Sequence, residues 1–73
     1  MNRLKKVRKA IGLTHEAVAR AVGVARSTYT HIERGRGKPS FELAQRLAAF
    51  FGHPVDWLFP NPHDPSAKDG EPQ

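Results

Sequence analysis

Cysteine is absent from the chain. No disulfide framework and no thiolate zinc site can therefore hold it together. Long apolar runs are missing too. Nothing approaches the roughly 20 consecutive apolar residues of a membrane span, and the first residues, MNRLKKVRKA, lack the apolar stretch of a secretory leader. No segment alternates apolar and polar residues long enough to make a strand, which leaves helices as the regular structure. Aromatic residues are few: one Trp, one Tyr and four Phe. With 73 residues there is room for one domain and one modest core. A chain this short buries only about 60% of its unfolded surface, so packing, or packing plus a partner, must stabilise it.

Acidic residues are scarce as well, 7 against 12 Lys and Arg, for a net charge of +5. The imbalance is concentrated. Residues 1–59 carry 11 basic and 4 acidic side chains, whereas 60–73 set Lys68 against Asp64, Asp69 and Glu71. A basic body implies a polyanionic partner, nucleic acid first and an acidic membrane surface second. Four histidines are present, His15, His31, His53 and His63, but none is four residues from another and no Cys assists. That spacing argues against a metal site, and no cofactor is implied. Paired carboxylates, a glycine-rich phosphate loop and a Ser with a nearby base are all missing, so the expectation is not an enzyme.

Apolar spacing divides the chain into segments. Leu4, Val7 and Ile11 stand three and four apart among Arg3, Lys5, Lys6, Arg8 and Lys9, which predicts a basic-faced helix over 2–11 with Asn2 as cap and Gly12 as stop. Thr14 predicts the N-cap of a second helix, with Glu16 in its first turn, Val18, Ala19 and Val22 inward, and Gly23 at its end. Only Val24 and Ala25 precede the next helix, from Arg26 to about Arg34, and so short a turn forces two helices to meet steeply. On this third helix Tyr29 and Ile32 point inward, while Arg26, Ser27, Thr30, His31 and Arg34 cannot share that face. The loop around Gly35 and Gly37 carries Arg36 and Lys38. Ser40 caps a fourth helix with Leu43, Leu47, Ala48 and Phe51 inward and Gly52 as stop, and Pro54 opens a short fifth, Val55 to Phe59. Beyond it Pro60, Pro62, Pro65 and Pro72 among small polar residues read as a flexible tail. The domain is thus expected over 1–59 and the tail over 60–73.

These residues carry a resemblance. Leu13–Thr14–His15–Glu16–Ala17–Val18–Ala19, Val22–Gly23–Val24, Ile32–Glu33–Arg34–Gly35 and Pro39–Ser40 closely resemble the phage-repressor and Cro-like (XRE-type) helix-turn-helix family. Leu43–Ala44, Leu47–Ala48 and Val55–Asp56–Trp57–Leu58–Phe59 extend the likeness, which covers about residues 3–59. It implies an all-α, five-helix bundle of the lambda-repressor-like DNA-binding fold, acting as a transcriptional regulator on double-stranded DNA. The third helix is then the recognition helix, with Arg26, Ser27, Thr28, Thr30 and His31 approaching base edges. Of these, Arg26 suits a bidentate contact to guanine O6 and N7. Arg34, Arg36 and Lys38 would meet the DNA backbone and fix register. His15 stands where the family usually carries Gln and would meet a phosphate at the start of the second helix. The resemblance also pairs Arg8 with Glu33 as a scaffold ion pair. Short relatives dimerise near the C-terminus, which puts Val55, Trp57 and Phe59 at a homodimer interface. A dimeric repressor or autoregulator on an inverted repeat, cytoplasmic and associated with the nucleoid, is the leading expectation. An antitoxin-like protein-binding module with secondary DNA binding is the alternative.

Two departures from the family pattern stand out. Ala25 occupies a position where relatives often cap the recognition helix with Ser or Thr. Tyr29 replaces a small aliphatic residue, and its ring is expected to be partly buried with the hydroxyl at the rim.

Overall fold

The apolar spacings become five α-helices in a computed structural model, which describes residues 2–60: α1 Leu4–Ala10, α2 His15–Val22, α3 Arg26–Glu33, α4 Phe41–Phe51 and α5 Val55–Leu58. The 61–73 stretch of the expected tail lies outside the described residues, and no strand occurs among those described. Two helices start on side-chain caps. The Thr14 hydroxyl accepts from the Ala17 N–H (3.0 Å) and the Ser40 hydroxyl from the Leu43 N–H (3.1 Å), each satisfying a donor that the helix itself leaves unpaired. Gly23 ends α2 in the left-handed region (φ 79°), and the Val24 N–H then closes back on the Ala19 carbonyl at 2.9 Å. A side chain at Gly23 would strain this reversal, which sets the angle between α2 and α3.

The first helix is shorter than its spacing predicts. It runs from Leu4 to Ala10, and Ile11 sits beyond its end, more than half exposed at 54%. The reason is local: Gly12 turns the chain at φ 71°, so Ile11 lies in the reversal and no longer follows the stripe of Leu4 and Val7. Asn2 does serve the helix start, its side-chain oxygen accepting from the Leu4 N–H at 3.0 Å.

The core gathers one stripe from every helix: Leu4 and Val7, then Val18, Ala19 and Val22, then Tyr29 and Ile32, then Leu43, Ala44 and Leu47, and finally Leu58. Burial of a Val- or Leu-sized side chain contributes about 1.5–3 kcal/mol, so these contacts dominate the fold. The N-terminal segment ties the ends together. The Arg3 N–H donates to the Leu58 carbonyl (2.9 Å), and the Asn2 side-chain amide donates to the Ile32 carbonyl (2.7 Å) at the close of α3. Residues before α1 therefore pin both α5 and α3.

Candidate nucleic-acid interface

An eight-residue helix must bury one stripe and present the rest. On α3 the buried stripe is Tyr29 and Ile32. Ser27, Thr30, His31 and Arg34 recur at three and four residues on another face, as the helical period requires. Arg26, Ser27, Thr28 and His31 are exposed, and Thr30 is half-buried. Ala25 begins the helix in extended backbone with no side-chain bond to the first turn, so the first N–H groups of α3 have no cap of that kind. At its other end the Arg36 N–H closes on the His31 carbonyl (2.8 Å), and Gly35 takes φ 75°. This reversal launches the loop that carries Arg36 and Lys38, both exposed.

Beneath the exposed face lies a polar cluster joining three helices. Arg8 of α1 donates through Nε to Glu33 Oε1 (2.9 Å) and through Nη2 to Oε2 (3.0 Å), a two-pronged pairing, and through Nη1 to the Leu13 carbonyl (2.8 Å). Both partners are buried, with the Glu33 side chain only 4% exposed. Burial is the largest single influence and would raise the Glu33 carboxyl, but the Arg8 hydrogen bonds, the nearby Tyr29 hydroxyl and the charges of Arg8 and His15 together hold the group below its ordinary value of 4.5. The Arg8 guanidinium is correspondingly raised, chiefly by its hydrogen bonds to Glu33.

Tyr29 departs from its expected place. The residue is fully buried, at 0% exposure, and its hydroxyl is not at the rim. The oxygen is shut off from solvent and makes no hydrogen bond of sound geometry among the described residues. Its pKa is raised, first by burial and then by the nearby Glu33 carboxylate. The ring packs edge-on to the imidazole of His15, with centroids 5.8 Å apart.

His15 joins the same cluster. It opens α2, as foreseen, but both ring nitrogens are engaged within the chain. Nδ1 lies 2.9 Å from Thr30 Oγ1 and Nε2 lies 3.2 Å from Glu33 Oε2. The imidazole thereby bridges α2 to α3.

The acidic residues are distributed in a telling way. Glu33 takes Arg8, Glu42 takes Arg46 at 2.8 Å, and Glu16 lies 3.9 Å from Arg20. Among the described residues no carboxylate is paired with Arg26, Arg34, Arg36 or Lys38. The helix α3 and its following loop thus present a cationic surface not neutralised from within.

The residues expected at a dimer interface, Val55, Trp57 and Phe59, are each half-buried, and Trp57 and Phe59 pack against the core. The Trp57 ring is covered on two counts. The Arg3 guanidinium sits 4.6 Å from its centroid, and the His53 ring stacks on it at 4.3 Å. Arg3 Nη1 also donates to the Trp57 carbonyl at 2.6 Å, so Arg3 is a tie between the two ends of the chain and no part of the solvated face of α1. Among the described residues, the large apolar side chains that remain exposed are Phe41, Phe50 and Ile11. No pattern in the sequence singles out Asn2 or Arg3 for these ties, because the partners lie 30 and 54 residues away.

Two helices joined through the Gly23–Ala25 turn, the second exposing a polar and cationic face, define a helix-turn-helix protein. Comparison with known proteins agrees, since the family model described as helix-turn-helix matches residues 4–58. An HTH-type transcriptional regulator of Methanocaldococcus jannaschii is 41% identical over 58 residues, covering 80% of this chain and 88% of that protein. The regulator YqaF of Bacillus subtilis is 41% identical over 54 residues, covering 74% of this chain and 68% of the relative. The cryptic phage CTXphi transcriptional repressor RstR of Vibrio cholerae is 33% identical over 54 residues, 74% of this chain but 49% of the repressor. The chain belongs to the helix-turn-helix family of transcriptional regulators, of the phage-repressor and Cro-like kind. Among the described residues no helix is long and apolar enough to cross a membrane.

Proposed function

We propose that the chain is a sequence-specific repressor or autoregulator that binds an inverted repeat in double-stranded DNA as a homodimer, acting at the nucleoid in the cytoplasm. The observation that carries this reading is the uncompensated cationic surface of α3 and its loop, on a body where three of the four acids, Glu16, Glu33 and Glu42, pair with cations elsewhere. Arg26, Ser27, Thr28, Thr30 and His31 are the base-contacting set, entering the major groove from the N-terminal part of α3. Arg34, Arg36 and Lys38 neutralise phosphates and fix register. Arg8 and Glu33 hold α3 at its angle and touch no DNA.

The dimer is proposed through α5 and its flanks, Val55, Trp57 and Phe59, each of which keeps part of its apolar surface accessible. Two-fold pairing there would set the recognition helices about 34 Å apart, one turn of B-DNA. Occupancy of a promoter by such a dimer blocks polymerase without a further catalytic step.

Selection of bound sites from a random duplex pool tests the reading. The expected result is enrichment of a two-fold symmetric site with half-sites about one helical turn apart and two chains per duplex. Recovery of unenriched sequences, or of an asymmetric site occupied by one chain, would overturn it.

A further inference from the structure

The contacts of His15 fix more than an angle, because Glu33 dictates where the imidazole keeps its proton. The Glu33 carboxyl is held ionised by its two bonds to Arg8, and a carboxylate can only accept. An unprotonated Nε2 3.2 Å from Oε2 would set two lone pairs against each other, so Nε2 must carry hydrogen. In neutral His15 the second nitrogen, Nδ1, is then an acceptor. At 2.9 Å from it, the Thr30 hydroxyl must be the donor. The hydroxyl hydrogen of Thr30 is thereby turned inward, and what its oxygen offers outward is lone pairs.

Protonation reverses this bond and leaves the other intact. An imidazolium donates from both nitrogens, Nε2 still to Glu33 and Nδ1 now to Thr30 Oγ1. The Thr30 hydroxyl hydrogen is released from the ring and can point outward as a donor. Thr30 is half-buried and shares the face of Ser27, His31 and Arg34. Histidine is the side chain whose charge ordinarily changes between about pH 5 and 8. We propose that His15 is a positioning residue for DNA specificity: its protonation state sets whether Thr30 presents an acceptor or a donor to a base edge. This rests on the reading of α3 as the DNA-facing helix. In the major groove an acceptor matches the exocyclic amine of adenine or cytosine, and a donor matches guanine O6 and N7, thymine O4 or adenine N7, so cytosine is the base that only an acceptor can meet. Neutral His15 thus favours adenine or cytosine opposite Thr30, and protonated His15 disfavours cytosine and admits guanine or thymine, with adenine matched in both states through N6 or N7.

The charged and titratable groups around the ring are few. From α3 they are Glu33, in contact, and Tyr29, edge-on. From α1 it is Arg8, which shares the Glu33 carboxylate, and on its own helix Glu16 follows His15 in sequence. His31, exposed on α3, is a second imidazole that can respond to pH at the DNA, and the test must separate it.

Two measurements on the full chain decide the matter. Nitrogen-detected NMR of the imidazoles in the DNA-free protein at about pH 8 is expected to find His15 protonated at Nε2 and bare at Nδ1. Hydrogen on Nδ1 instead would overturn the inference, whatever the protein binds. Site selection from a random duplex pool at about pH 5.5 and about pH 8 follows, with wild type, Thr30→Val and His15→Gln. In the wild type, one position per half-site should shift from cytosine toward guanine or thymine on acidification, by about threefold to tenfold, the worth of one net hydrogen bond. Both variants should lose that shift, and any pH response they retain belongs to His31. An equal shift in Thr30→Val, or selective wild-type binding with one preference at both pH values, would overturn the role of His15 alone. Unselective wild-type binding at both pH values would overturn it together with the DNA reading.

Discussion

Arg8 and Glu33 show how one pair of side chains governs the position of a helix. The carboxylate is buried and two-pronged to the guanidinium, so removing its charge leaves Arg8 buried without a counterion. Glu33→Gln should therefore cost about 3 kcal/mol at neutral pH in urea unfolding, the lower end for a broken buried pair. The pH dependence follows from the lowered carboxyl. Its stabilisation is complete above the ordinary value of 4.5 and is lost as pH falls through the lower native value. The gap between wild type and Glu33→Gln should hold at pH 7 and narrow below about pH 4.5. A constant gap down to strongly acid solution would contradict the pairing. Tyr29 makes the opposite case. Its hydroxyl is buried without a partner, so Tyr29→Phe keeps the ring packing and removes only an unpaid desolvation cost. Unfolding should show stability unchanged or raised by about 1 kcal/mol. A loss of that size would mean that the hydroxyl has a bond after all.

The helices themselves were largely legible in the sequence, because each begins or ends at a residue whose chemistry acts locally. Thr14 and Ser40 reach donors three residues on, and Gly23 and Gly52 take left-handed backbone that other residues avoid. Ile11 was misread because its spacing is helical while Gly12 has already turned the chain. Contacts between helices were less legible. Spacing says which face a residue occupies and not which residue it meets, so the double engagement of His15 and the anchoring by Asn2 and Arg3 left no local signal. The Arg8–Glu33 pair was visible only through family resemblance, since composition would assign Arg8 to the basic face of α1. Ala25, by contrast, is a purely local defect. It sits in extended backbone at the head of α3 with no side-chain bond to offer. Ala25→Ser should supply that bond and stabilise the protein by about 0.5–1 kcal/mol. In thermal unfolding this corresponds to a rise of roughly 2–8 °C for a domain of this size. No rise in the melting midpoint would mean that the first turn of α3 is satisfied in another way.

At the scale of the molecule, fold and charge divide the work. Core residues from all five helices set the angle of α3, and three of the four acids in the helical body neutralise cations away from its exposed face. What remains is a polar helix face continued by a basic loop, suited to reading bases with one part and holding phosphates with the other. The exposure of Arg26, Ser27, His31 and Arg34 on α3 was legible from helical period, whereas Thr28 entered only through the family resemblance. The burial of Tyr29 and the inward turn of His15 were not legible, because each depends on the other helix. The most direct test is an anisotropy titration of the full chain against a selected duplex and a scrambled duplex over a series of salt concentrations. The wild type should prefer the selected site by about a thousandfold or more and weaken steadily as salt rises. Arg26→Ala should lose about 1–3 kcal/mol of that preference, whereas Arg36→Ala should weaken both duplexes alike and lower the salt slope by about 1. Equal wild-type affinity for the two duplexes would contradict the assignment of α3 as a reader of DNA sequence.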